Sequence, residues 1–309
     1  MPLTGWTMSS INAWSPERLN DSVGDTLAFI RDRDRLQLAL FVAPAVLFMF
    51  ATLILPVFYM VYISFLSDFP TGGEFTVENY VRMATTDAYV QITLDTVVLT
   101  VQTVSLVLVF GYVIAYGIAM FGKRKKLLLL AVVLPFWTNY LVRNYAVMAI
   151  FQNDGPVHQI LNYLAFVPPV EILFTRTAVL IGLVYSFLPV AILPIYASIS
   201  RMDKSLISAS KDLGAGPIKT FLYITLPETK DGIFVGALLV GVPTFGAFVT
   251  PGMLGGPSDN MIGSIINMQV MSVYDIPFAA AIGTSVTLFV LGVIGVLITI
   301  GGVPMIDRE

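Results

Sequence analysis

The chain has little with which to do covalent chemistry. It holds no cysteine and one histidine, His158. That excludes thiol catalysis, disulfides, iron–sulfur clusters and the usual zinc sites, which draw on Cys and His. His158 follows Gly155-Pro156 without ligand partners nearby, and reads as a surface residue of a loop rather than a catalytic base. The segment GAGPIKT at 214–220 is a poor phosphate-binding loop. Such a loop needs Gly directly before the Lys-Ser/Thr pair, and Ile218 stands there. No catalytic, metal or nucleotide site is expected. What remains are polar and aromatic residues inside apolar runs, where they are costly and point to function. The densest set is Trp137, Thr138, Asn139, Tyr140, Arg143, Asn144 and Tyr145. Asn139 and Arg143 are four apart and so share a helix face. Arg143 faces either a solute path or a partner helix, where an acid or backbone carbonyls would hold it. Asp95 pairs with Arg143, lies at the mouth of the path, or is a wetted helix end. Tyr185, Phe187, Tyr196, Phe245 and Phe248 either form a constriction or simply pack. As a constriction, their ring faces would hold an ammonium by cation–π attraction.

These residues need spanning helices to position them. The chain has 309 residues, 56% hydrophobic and 12% charged, with a mean hydropathy of +0.82. That charged share is about half of a soluble domain's, so the excess apolar surface must face lipid. A net charge of −3 gives no basic surface for nucleic acid. A spanning helix needs about 20 mostly apolar residues. Six stretches qualify: 37–66, 92–121, 126–151, 177–200, 232–255 and 277–303. Pro44 and Pro56 predict kinks in the first. Pro243, Gly246, Pro251 and Gly252 predict a break in the fifth, and broken helices commonly line substrate paths. Residues 1–35 lack a secretory signal pattern. Ser15 and Pro16 there resemble a helix start, and Leu19, Val23, Leu27 and Ile30 recur at helical spacing, so the segment reads either as a short amphipathic helix on the membrane or a partner, or as a loosely ordered tail. The expected divisions are a cytoplasmic segment at 1–36, a membrane domain at 37–303 and a cytoplasmic tail at 304–309.

Basic residues set the orientation. With the N-terminus in the cytoplasm, fourteen of the 17 Lys and Arg fall on cytoplasmic segments, including the tight turn Lys123-Arg124-Lys125-Lys126. Only Arg82 and Arg176 fall outside, and Arg143 lies within a span. The positive-inside rule therefore predicts both termini in the cytoplasm. The outer loops carry Asp68, Glu74, Glu78, Asp87, Asp154, Glu171, Asp259 and Asp275, which either form a negative surface that concentrates cations or simply collect where Lys and Arg are disfavoured.

The loop between the fourth and fifth spans reads as a cytoplasmic elbow over 205–227. Leu206, Ala209 and Leu213 share a helical face, Gly214-Ala215-Gly216-Pro217 breaks it, and Ile218, Phe221, Leu222 and Leu226 begin a second amphipathic run. A rigid projection of this kind suits docking to a soluble partner, or rests on lipid headgroups. SASKDLGAGPIKTFLYITLP at 208–227 resembles the EAA loop of ABC importer permeases. Ala209, Gly214, Ala215, Phe221, Ile224, Leu226 and Pro227 match its positions, and Gly232-Ile233 follow in place. Ser208 and Ser210 depart, standing where the family has Glu and Ala. LPFWTNYLVRNYA, IGLVYSFLPVAILPIYASI and MLGGPSDNMIGSIINMQV extend the resemblance to the first permease of spermidine/putrescine-type systems. Ile276 departs from that group's Asp-Trp-Pro.

The resemblance implies an all-α integral membrane fold with six spans, like a type I ABC importer. It implies a multi-pass subunit of the cytoplasmic (inner) membrane. Ser208, Ala209, Gly214, Ala215, Gly216, Phe221, Ile224, Leu226 and Pro227 would couple it to the ATPase. It implies two copies of an ATPase that bind ATP and Mg, a second homologous permease and an extracytoplasmic solute-binding protein. The candidate path comprises Asp95, Trp137, Asn139, Arg143, Tyr145, Tyr185, Phe245 and Phe248. The expected solute is a polyamine or related small amine or amino-acid-like compound, with iron or thiamine as alternatives in the class. The rival readings are an ion-coupled secondary transporter, for which Asp95 is the sole candidate acid, and a membrane scaffold.

Overall fold

The computed structural model describes residues 40–163 and 171–301, apart from the side chains of 161–163, 300 and 301. The helix expected within 1–36 and the tail at 304–309 lie outside the described residues. The chain divides into two compact units, Met1–Tyr59 and Met60–Glu309. In the first, the described residues are helical and belong to an apolar helix, α1, over Leu40–Ser64. Phe50–Ile54 makes a π-helical turn just ahead of Pro56. Proline has no N–H for the helical ladder, and the wider turn absorbs that loss.

The second unit is a set of packed helices. A short amphipathic helix, α2, covers Glu78–Thr85, and α3 runs without interruption over Asp87–Phe121. Next come α4, Lys125–Val133, closed by a 3-10 turn at Leu134–Trp137, and α5, Tyr140–Phe151. Helix α6 covers Pro156–Tyr163 and α7 covers Arg176–Arg201. The elbow holds α8, Ser205–Asp212, and α9, Pro217–Thr220, which runs on through a π turn at Phe221–Thr225 to Glu228. Then follow α10, Lys230–Phe245; α11, Val249–Leu254; α12, Ile262–Met268; and α13, Ile276–Gly301. No strand forms among the described residues beyond one isolated bridge, Leu66 with Phe75.

Helices α3, α7 and α10 make the central core. Val107 and Ala115 meet Ala191, Ile192, Ile195 and Val240, all buried. Gly111 and Gly236 both lie against Ala191, and these small residues let the backbones come close, as spanning helices do when lipid offers no hydrophobic drive to associate. Gly232 is one such close approach. A Cβ there would lie 2.7 Å from the Pro194 carbonyl oxygen and 2.6 Å from the Ser198 Cβ, so only glycine fits. The outward faces carry Val101, Val109, Phe110, Val113, Leu288, Leu291 and Val296, all exposed large apolar residues. Such a surface needs lipid or a partner.

Among the described residues, four helices are long and apolar enough to cross a membrane, and a bent pair makes a fifth crossing if counted as one. The expected third span, 126–151, is not one helix. It breaks after Trp137, and its two halves meet at 93°. Pro135 lies in the 3-10 turn, Thr138 is extended, and Asn139 restarts the chain by accepting from the Leu141 N–H at 2.8 Å. The fifth stretch breaks where Gly246 ends α10, as its glycines and prolines predicted. Helix α10 then has only 16 residues.

Candidate functional site

The elbow is built as the sequence suggested, with one difference in how its apolar face is used. Asp203 starts it by accepting from the Ser205 N–H at 2.9 Å and the Ser205 hydroxyl at 2.7 Å. These bonds hold the Asp203 carboxyl below its ordinary value. Gly214 turns the corner at φ +77, the left-handed region that side chains disfavour, with nothing within 4 Å of a Cβ placed there. The glycine is therefore required by backbone conformation and not by crowding. Two internal bonds lock the bend. The Ala215 N–H donates to the Ser210 carbonyl at 2.9 Å, and the Ser210 and Thr220 hydroxyls meet at 2.8 Å. Ser210 and Thr220 are both buried. The serine at 210 therefore has a partner hydroxyl that an alanine would leave orphaned.

Outward, the elbow is apolar. Leu213 is 88% exposed and Tyr223 78% exposed, and Leu206, Ile218 and Leu222 are exposed as well. Leu206, Ala209 and Leu213, expected to share one face, all point away from the bundle. Phe221 and Leu226 point inward and pack on the central core. Ser208, Gly216 and Pro227 are exposed, while Ala215 and Ile224 are half-buried.

A second constellation sits where the two broken segments meet. The Thr250 hydroxyl donates to Asn144 Oδ1 at 2.8 Å. That uses its one hydrogen, so the Tyr140 hydroxyl, 2.6 Å away, donates to Thr250. Asn144 closes the set by donating to the Tyr140 carbonyl at 2.9 Å. Beside it Arg143 is only 7% exposed. Its guanidinium donates to the Ser186 carbonyl at 2.9 Å and lies 5.2 Å from the Phe136 ring centre and 5.5 Å from that of Tyr140. Arg143 has no carboxylate partner among the described residues, and its Nε donates to nothing there. Within this chain the Arg143 guanidinium is held by a backbone carbonyl and not by an acid. It links α5 to α7 near Pro189, whose missing N–H loosens the local ladder.

Several expected contacts are replaced by others. Asn139 caps α5 instead of sharing a helical face with Arg143, because the helix starts only at Tyr140. Asp95 does not meet Arg143. It pairs with Arg176 at 2.9 Å, with both side chains half-exposed, joining one end of α3 to the start of α7. Phe245 is 5% exposed and stacks on Phe289 at 5.3 Å, so it belongs to the core with Ile262 and Phe278. His158 is buried, because Gly155-Pro156 opens a helix that turns it inward. Trp137, at 75% exposed, and Tyr145, Tyr185 and Phe248 remain accessible on the surface around the two breaks. The Tyr140–Thr250–Asn144 set escaped sequence reading as a unit. The spacing of Tyr140 and Asn144, four apart, was its only signal.

The comparisons agree with this architecture. The spermidine/putrescine transport system permease protein PotB of Escherichia coli is 37% identical over 219 residues, covering 70% of this chain and 78% of that protein. PotB of Haemophilus influenzae is 35% identical over 69% of this chain and 74% of its own length. The inner membrane ABC transporter permease protein YdcU of E. coli is 31% identical, covering 67% and 70%. Among solved structures, a bacterial ABC transporter that imports the acidic polysaccharide alginate has a chain of the same fold. It has a TM-score of 0.73 at 16% identity, covering 91% of this chain and 99% of that one. Residues 34–300 match the family described as binding-protein-dependent transport system inner membrane component, and the chain belongs to that family.

Proposed function

We propose that this chain forms half of the path of an ATP-driven polyamine importer and that its elbow couples the path to a separate ATPase. The chain is a transport permease of the inner membrane, as its family and its permease relatives establish. The observation that carries the coupling role is the elbow itself. It is internally locked, anchored inward by Phe221 and Leu226, and apolar outward at Leu213, Ile218 and Tyr223. An exposed apolar patch on a rigid projection is an interaction surface. A groove on a separate ATPase is the fitting partner, and that subunit, not this chain, would bind ATP and Mg. The similarity to PotB supports a polyamine or related small amine as the solute.

The membrane arrangement we infer has six passes: α1, α3, the α4–α5 pair, α7, the α10–α11 pair and α13. Helix α10 alone spans about 24 Å at 1.5 Å per residue, short of the roughly 30 Å hydrocarbon core. Helix α11, beyond the break, would complete the crossing. The distribution of basic residues supports both termini in the cytoplasm, with the elbow there too. The unlike second permease would supply the other half of the path, and a binding protein would deliver solute to the outer loops. Trp137, Tyr145, Tyr185 and Phe248 are the aromatic path candidates that remain accessible, and their rings suit an ammonium.

The test is uptake of labelled putrescine and spermidine by the complete complex in liposomes. The expected result is accumulation that needs ATP and the binding protein and is indifferent to ion gradients. Accumulation driven by a proton or sodium gradient without ATP would replace this reading with the secondary transporter.

A further inference from the structure

The elbow does not end on α7 and α10 alone. Its second limb is clasped to α3, a helix well separated from it in sequence. Phe221 stands edge-on to two rings of that helix, Tyr112 at 5.5 Å and 85° and Tyr116 at 5.9 Å and 89°. Tyr112 and Tyr116 are one turn apart and stacked at 6.4 Å, so together they form a socket for the phenylalanine. A hydrogen bond closes the clasp. The Tyr112 hydroxyl lies 2.9 Å from the Thr229 hydroxyl, and both residues are buried. Thr229 gives its own hydrogen to the Thr225 carbonyl at 2.7 Å, so Tyr112 is the donor. Thr229 stands just before α10, and Thr225 ends the π turn that starts at Phe221. One tyrosine therefore touches the elbow's limb with its ring and the joint between elbow and α10 with its hydroxyl.

We propose that Tyr112 is the positioning residue through which displacement of the elbow enters α3. The proposal rests on the coupling role given to the elbow above. Physical coupling needs a contact that neither partner can leave cheaply. An edge-to-face aromatic set and a bond between two buried hydroxyls meet that need. Helix α3 is unbroken, and from Tyr112 to Asp95 it covers about 25 Å at 1.5 Å per residue. A shift at the elbow is thus delivered to the Asp95–Arg176 pair at the other end. Helices α7 and α10 receive the motion in parallel and pass it to α3 through the shared core, and the Tyr112 clasp adds a direct route from the elbow into α3.

The variants are Tyr112→Phe, which keeps the ring, Thr229→Val, which keeps the shape, and Thr229→Ser, which keeps the hydroxyl. The complete complex in liposomes is assayed for solute accumulated per ATP hydrolysed. Because the chain has no cysteine, Ser208→Cys gives a unique handle for cross-linking the elbow to the ATPase. The expected result is a loss of about fivefold in solute per ATP for Tyr112→Phe and for Thr229→Val, the scale of one buried hydrogen bond. The double variant should be no worse than either single, Thr229→Ser should restore the ratio, and cross-linking should persist throughout. Unchanged solute per ATP in both single variants, with cross-linking intact, overturns the role of Tyr112. Absence of the cross-link in the parent complex overturns the coupling role of the elbow instead. If Tyr112→Phe assembles poorly, Thr229→Val and Thr229→Ser decide the matter alone.

Discussion

Replacing Thr250 by valine keeps the side-chain shape and removes one hydroxyl that serves two neighbours. Tyr140 loses its acceptor at 2.6 Å and Asn144 Oδ1 loses its donor at 2.8 Å. Hydrogen bonds between helices in membranes average about 0.6 kcal/mol in double-mutant cycles, so two give about 1.2 kcal/mol. Asn144 is fully buried, and its orphaned oxygen adds about 1 kcal/mol. Thr250→Val should therefore cost about 2 kcal/mol, and Tyr140→Phe about 0.6 kcal/mol for its single bond. The double variant should cost no more than Thr250→Val, because the Tyr140 hydroxyl has already lost its partner there. Reversible unfolding in mixed detergent measures all three. A cost below about 0.5 kcal/mol for Thr250→Val, or losses that simply add, refutes the view that this set joins α5 to α11 as a unit.

Gly214→Ala should weaken coupling more than Gly216→Ala, because only Gly214 sits at positive φ, at about 1 kcal/mol for a non-glycine residue there; solute accumulated per ATP separates the two. Asp95→Asn and Arg176→Gln should each change stability by no more than about 1 kcal/mol, since the pair is half-exposed, with the difference shrinking in high salt; unfolding at two salt concentrations checks this. The Asp203 carboxyl has its value lowered by Ser205, so its support of the elbow is complete above the ordinary value of 3.8 and disappears as pH falls through the lowered one. Asp203→Asn should therefore resemble the parent only at acid pH, as read from amide exchange at Ser205. Trp137→Ala should reduce uptake at unchanged stability if the exposed ring lies on the path, and uptake kinetics with a melting curve test it.

Much of the fold was legible because lipid imposes long apolar runs. The second, fourth and sixth stretches became α3, α7 and α13 within a few residues of their expected ends. The elbow was legible because glycine and proline punctuate the chain strongly, and Gly214 and Pro217 act as their chemistry requires. The third stretch misled because its polar residues looked like a decorated helix. Pro135, Thr138 and Asn139 instead make a break and a cap, local chemistry that a hydropathy window averages away. Partners across the fold were illegible for another reason. Tyr112 and Thr229, or Asp95 and Arg176, lie 117 and 81 residues apart, and one sequence carries no signal of such distant pairs. Phe245 shows the same limit, since an aromatic residue beside a break looks alike whether it lines a path or fills a core.

Native mass spectrometry of the chain, gently solubilised from its own membrane, tests the central claim most directly. The expected assembly holds one copy of this chain, one unlike but homologous permease and two copies of an ATPase, with a solute-binding protein joining when loaded. A chain that emerges alone, or only with copies of itself, and that still takes up solute on an ion gradient, would contradict the importer and leave the elbow without a role.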